Sequence, residues 1–197
     1  MAQAVPRPAT YADLEAVPPH LVAEIVDGVL ETHPRPRPRH ASVAIGLGAE
    51  LQFPYGRGRG GPGGWVFMAE PELHLGYDVV VPDLAGWRRE RMPVEPDKAY
   101  IETPPDWVGE ILSPSTRRLD LGPKRRIYAE AEVPFLWFLD PDERTLEPFA
   151  LTGGRWLLLG TVVGGESVSL APFDAITFPL DDLFPFADPA ASAPPET

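Results

Sequence analysis

Residues 106–128 read DWVGEILSPSTRRLDLGPKRRIY, and the folding of this stretch decides how the rest of the chain is arranged. Trp107 to Leu112 set Trp, Val, Ile and Leu around a single glutamate, which predicts a buried strand. SPST is turn chemistry. The run that follows predicts a helix of roughly three turns starting near Pro123, with the proline at the first helical position. PFLWFLD (134–140) predicts a second buried strand. Two features need a cause. Glu110 stands in the middle of an apolar strand, and Lys124 opens the helix in a chain whose other lysine is Lys98.

Upstream, TYADLEAV predicts a short helix with Thr10 as N-cap. AEIVDGVLETH (23–33) predicts a hairpin, because Asp27-Gly28 is the favoured pair for a two-residue type I′ turn. PRPRPRH (34–40) predicts an extended, polyproline-like segment. HASVAIGLGAELQF (40–53) has helical spacing, weakened by Gly46 and Gly48. PYGRGRGGPGG (54–64) predicts a flexible loop; it lacks the GxxxxGKS/T pattern of a phosphate-cradling loop. WVFMAEPELHL and YDVVVPDLAGW predict strands, the second an apolar run ending at Pro82-Asp83. RTLEPFAL, GRWLLLGTVV and ESVSLAP predict a final antiparallel meander turning at Gly153-Gly154 and Gly164-Gly165, and AITFPLDDLF closes the core. The order of elements predicts an α/β (α+β) fold. Its mixed central sheet is flanked by helices, with extra β-hairpins at both ends. One domain is expected over residues 10–186, between tails at 1–9 and 187–197.

The composition is globular, with 44% hydrophobic and 10% aromatic residues over 197 positions. There are no cysteines, so no disulfide, thiolate metal site or thiol nucleophile is available. No apolar run reaches the roughly 20 residues of a membrane span. The N-terminus lacks the basic and apolar regions of a secretory signal. A cytoplasmic protein without membrane contact is expected. A net charge of −12 argues against a protein that coats nucleic acid. The charge is uneven, however. Arg35, Arg37, Arg39, Arg57 and Arg59 cluster in one segment, and Arg117, Arg118, Lys124, Arg125 and Arg126 in another. Each cluster reads either as a local basic patch or as solvated surface.

The chemistry-bearing candidates are Asp83 and Glu110. A carboxylate on an apolar strand is costly unless it is paired or binds a metal. Their strands are consecutive and so are candidates for neighbours in the sheet. Two hard oxygen ligands at one sheet end suit Mg²⁺. Plainer readings stand beside this one. Asp83 after Pro82 is also a turn former, and Lys124 next to Arg125 and Arg126 is also a solvated lysine. Glu110 is also able to alternate outward, although Val108 and Leu112 at i±2 argue that its face is buried. His20, His33 and His74 show no ligand spacing and read as surface or loop residues. Trp107, Trp137 and Trp156 read as core.

PDL (82–84), VGEILSPST (108–116), the spaced Asp120, Lys124 and Tyr128, and PFLWFLDP together resemble the Uma-two family of restriction endonucleases, within the PD-(D/E)XK nuclease superfamily. EIVDG (24–28) is similar to that family's Glu-x-x-Asp-Gly hairpin, and His40 to the histidine that opens its first core helix. The resemblance runs from about Glu24 to Pro141. It implies a restriction-endonuclease-like core and two-carboxylate Mg²⁺ chemistry, with Mn²⁺ as a substitute. Asp83 would match the PD aspartate and Glu110 the (D/E). Leu112 stands where the superfamily pattern has lysine, and Lys124 is the position matching a lysine moved to the following helix. Glu24 and His40 would be accessory members of the catalytic set. The expected activity is Mg²⁺-dependent hydrolysis of phosphodiester bonds in DNA. The alternative is a catalytically silent nuclease fold that binds or regulates and self-associates. A homodimer through the apolar RWLLLGTVV region (155–163) is expected in either case.

Overall fold

A computed structural model describes residues 7–186; positions 1–6 and 187–197, most of the two expected tails, lie outside the described residues. Asp27 and Gly28 both adopt left-handed backbone (φ 55° and 73°), as a type I′ turn requires. They join β1 (Leu21–Val26) to β2 (Val29–Pro34). The turn sets the register, with Glu24 opposite Glu31 and Val22 opposite His33. Before the hairpin, α1 (Tyr11–Glu15) is closed by a capping box between Thr10 and Asp13. Arg7 pairs with Asp13, and the Ala9 N–H donates to the Gly28 carbonyl, so residues 7–9 lie against the hairpin.

The central sheet is built from β3 (Trp65–Ala69), β6 (Leu84–Arg88), β7 (Trp107–Ile111), β8 (Phe135–Asp140), β9 (Thr145–Thr152) and β10 (Arg155–Leu158). Their order is β10-β9-β8-β7-β6-β3, and β11 (Val162–Val163) also pairs with β9. All pairs are antiparallel except β7 with β8. A parallel pair needs a crossover, and the helical run Arg117–Glu130 supplies it. That run comprises α3 (Arg117–Leu119), a wide turn over Asp120–Lys124, and α4 (Arg125–Glu130). A second sheet, β2-β1-β5-β4, takes in β4 (Leu73–Leu75) and β5 (Asp78–Val80).

Strand β7 divides the core. On one face Trp107 and Ile111 meet Val43, Leu47 and Leu51 of α2 (Pro38–Leu51). On the other, Val108 and Leu112 meet Ile127 and Tyr128 of the crossover. Glu110 shares the second face by strand alternation. Gly109 has a steric cause: a Cβ there would lie 2.7 Å from the Trp107 ring, which folds across it.

Four local expectations are corrected. The PRPRPRH segment is not extended throughout. Pro34 pairs with Leu21, and α2 begins at Pro38, where a proline loses no hydrogen bond. The crossover starts at Arg117 rather than near Pro123. The Ser113 carbonyl accepts the Arg117 N–H at 2.9 Å and launches the helix, which then breaks at Gly122 before Pro123. YDVVVPDLAGW is not one strand but two, in different sheets, with Pro82-Asp83 as the joint between β5 and β6. The final meander is also broken. β11 returns to β9, while β12 (Ser167–Val168) leaves to pair with β13 (Phe178–Pro179). The closing segment behaves as expected, with Leu180 and Leu183 fully buried.

Candidate active site

Asp83 and Glu110 come together because β6 and β7 are antiparallel neighbours, with Leu84 opposite Gly109. Asp83, just before β6, accepts the Ile111 N–H on Oδ2 at 2.6 Å. Its own N–H points at Glu110 Oε2 from 3.4 Å. His40, in the first turn of α2, sets Nε2 3.2 Å from Asp83 Oδ1. Burial disfavours the charged imidazole, but the hydrogen bond and charge of Asp83 outweigh it, so the His40 pKa is raised.

Lys124 arrives from the opposite side on the wide turn of the crossover. It is 3% exposed. Its Nζ lies 2.9 Å from Glu110 Oε1, 3.2 Å from Glu24 Oε1 and 3.3 Å from Asp120 Oδ1. It also donates to the Val81 carbonyl at 3.2 Å. Burial alone would lower its pKa, yet Glu110 and Glu24 above all raise it well above the ordinary value, so the ammonium is charged. Glu24 reaches the cluster from β1. It accepts the Val81 N–H at 2.7 Å and meets His33 Nε2 at 3.2 Å. Burial pushes the Glu24 pKa up, but Lys124, His33 and the Val81 amide hold it down at about 2.

Glu110 behaves differently. Its pKa is raised well above the ordinary value, first by burial and then by Asp120 and Asp83, which Lys124 offsets only in part. The Tyr128 hydroxyl donates to its Oε1 at 2.5 Å. Asp120, also buried, is raised by the same desolvation. Glu24, Glu110 and Asp120 are thus three carboxylates gathered round one lysine, with Asp83 beside Glu110 and His33 and His40 at the margins.

The sequence-predicted residues therefore meet in one place. His40, Asp83, Glu110 and Lys124 line a single recess, and Glu24 stands behind Lys124. The plainer reading of Lys124 falls: it is a buried, fourfold-bonded side chain and not a solvated lysine. His33, read as surface or loop, is half-buried against Glu24. Asp120 and the Val81 backbone were not anticipated as members of the cluster. The i,i+4 spacing of Asp120 and Lys124 was the available signal for the first.

The donor set suits a hard divalent cation. Asp83 and Glu110 offer oxygen only, and crowding of Glu110 by Asp83 and Asp120 leaves excess negative charge that such a cation relieves. Among the described residues, no group of three or more His, Cys, Asp or Glu side chains stands ready as a full ligand set. Mg²⁺, which keeps several of its waters, requires only one or two carboxylates.

A family model described as "Uma2: Putative restriction endonuclease" matches residues 8–181. The chain belongs to the Uma2 family. Among solved structures, this Uma2 protein is similar to "a putative nuclease belonging to DUF820" from Anabaena variabilis. The two share 20% identity at a TM-score of 0.73, over 90% of this chain and 98% of that one. At that identity the likeness establishes the fold, a mixed sheet with flanking helices, and nothing finer. No curated protein matches the chain at a significant level. No helix among the described residues is long and apolar enough to cross a membrane.

Proposed function

We propose that this Uma2 protein is a Mg²⁺-dependent endonuclease that hydrolyses phosphodiester bonds in DNA. The observation that carries the reading is the meeting of Asp83, Glu110 and Lys124 in one recess, with Glu24 and Asp120 buried around the lysine. Asp83 and Glu110 would hold the ion, which when bound supplies Lewis-acid polarisation of a phosphate oxygen and acidifies a water. Lys124 Nζ, held charged, contributes positive potential toward a transition state that gains negative charge. Glu24 and Asp120 orient the Lys124 ammonium. Tyr128 fixes the Glu110 carboxyl through Oε1. His40 Nε2 lies 3.2 Å from Asp83 Oδ1 and would hold or give up a proton beside the reacting phosphate. The flanking arginines Arg35 and Arg37 on the recess wall would offset the repulsion between an acidic protein and a polyanion.

The test is cleavage of plasmid and oligonucleotide DNA by the wild type and Glu110→Gln, with and without EDTA. Cleavage that needs Mg²⁺ or Mn²⁺ and is abolished in the variant supports the reading. Cleavage that persists in EDTA overturns it.

The second reading, a silent nuclease fold that binds or regulates, draws on Lys124 itself. Three carboxylates already engage its ammonium, so the cluster is partly self-neutralised. Self-association would use the C-terminal β region, where Leu157, Leu158, Leu159 and Val163 are exposed. An intact fold that binds nucleic acid without cutting any substrate favours this reading.

A further inference from the structure

Beside the recess runs a second depression, an apolar groove between α2 and β3, the edge strand of the central sheet. The two are continuous: Pro36, His40 and Asp83 line both. The groove exists because α2 presents small side chains there. Ala41, Ala44 and Gly48 leave a gap that larger residues would close, and Phe67 and Met68 of β3 form the opposite wall. The polar residues Gln52 and Glu70 also line it, and Glu70 pairs with Arg35 at 3.6 Å.

We infer that this groove is a nucleobase site for the nucleotide whose phosphate occupies the recess. The inference rests on the nuclease reading above and extends it to the form of the substrate. A phosphodiester held at Asp83 carries bases on the adjacent sugars. Those bases are the only flat apolar surfaces on the substrate, and the groove is the apolar surface next to Asp83. Apolar walls with the polar residues Gln52 and Glu70 among them match a base, which is apolar on its faces and polar on its edges. On the other side of the shared boundary Arg35 and Arg37 line the recess, and Arg37 has no ion-pair partner among the described residues. Phosphates and bases therefore meet complementary surfaces on two sides of Asp83. A base enters such a groove only when it is out of its stack, so the preferred substrate is single-stranded or carries an unpaired nucleotide.

The experiment measures fluorescence anisotropy of labelled strands on the full chain, with Ca²⁺ replacing Mg²⁺. The probes are single-stranded DNA of mixed sequence, a fully abasic strand of equal length, and the duplex. The wild type is expected to bind the base-bearing strand on the order of tenfold or more tighter than the abasic one, and tighter than the duplex. Ala44→Phe, which fills the groove, is expected to lose most of that ratio while keeping its affinity for the abasic strand. Because Ala44 also packs on the core, Ala41→Leu at the exposed lip is the second variant, and it decides if Ala44→Phe does not fold. A wild type that binds both strands equally, or filled variants that keep the wild-type ratio, overturns the groove assignment and leaves the nuclease reading standing. A wild type that binds none of the strands overturns the nuclease reading, and the groove assignment with it.

Discussion

The two lysines of this chain make a controlled comparison. Each has an acidic partner four residues away in sequence: Lys98 pairs with Glu102 at 2.7 Å and Lys124 with Asp120 at 3.3 Å. By distance alone Lys98 has the better pair. Yet Lys98 is half exposed, at 51% of its side chain, and the solvent screens its bond. Lys124 is 3% exposed and adds Glu24 and Glu110 to the same ammonium. Identical spacing thus yields a surface decoration in one place and the pivot of a buried cluster in the other. The difference lies in what packs over the side chain, and it sorts the predictions by size.

Lys124→Ala is expected to have the largest effect. It leaves three buried carboxylates without their cation, which costs about 3–5 kcal/mol of stability. Urea unfolding should shift accordingly, and any cleavage should fall by on the order of 10²–10³ beyond what the loss of folded protein explains. A Lys124→Ala protein as stable as the wild type would mean that the carboxylates are not charged around it.

Next comes the acid limb of stability. Glu24 sits at about 2 in the folded chain against an ordinary 4.5. On acidification the unfolded chain therefore takes up this proton first. The stabilisation is complete above about 4.5 and is lost as pH falls toward about 2. Glu110 and Asp120 are shifted upward, so their protonation favours the fold on acidification and offsets part of the loss. Glu24→Gln should flatten the pH dependence of the urea midpoint in that window; an unchanged slope would remove Glu24 from the cluster's electrostatics.

Tyr128→Phe removes the donor to Glu110 Oε1 and is expected to cost about 1–3 kcal/mol, because a buried acceptor loses a partner. Thermal melting beside the wild type checks it. Lys98→Ala is the control at the small end. It should leave the unfolding midpoint and any cleavage unchanged within error, because its pair is solvent-exposed. A measurable loss there would undo the contrast between the two lysines.

Much of the fold is legible in the sequence. The Asp27-Gly28 turn specified the first hairpin. It also specified the register that puts His33 diagonally across from Glu24 on one face, a contact that a register count would have found. The apolar neighbours of Glu110 announced a buried face, and Glu110 is 1% exposed. The readings that failed divide by cause. The helix starts at Pro38 and Arg117 are set by local hydrogen bonding, whereas the split at Pro82-Asp83 and the β11 return depend on partners distant in sequence, which local pattern does not contain.

The sequence by itself determined that Asp83 and Glu110 are expensive to bury, each a carboxylate on an apolar run, whereas Lys124 beside Arg125 and Arg126 reads equally well as solvated. Spacing and turn chemistry also determined the strands and helices that carry them. Only the tertiary structure decided that these costs are met together. The Gly122 kink swings Lys124 inward, β6 and β7 bring Asp83 beside Glu110, and β1 presents Glu24 from a different sheet. Charge neutralisation in a low-dielectric interior depends on distance in space, and that distance is fixed by packing rather than by position along the chain.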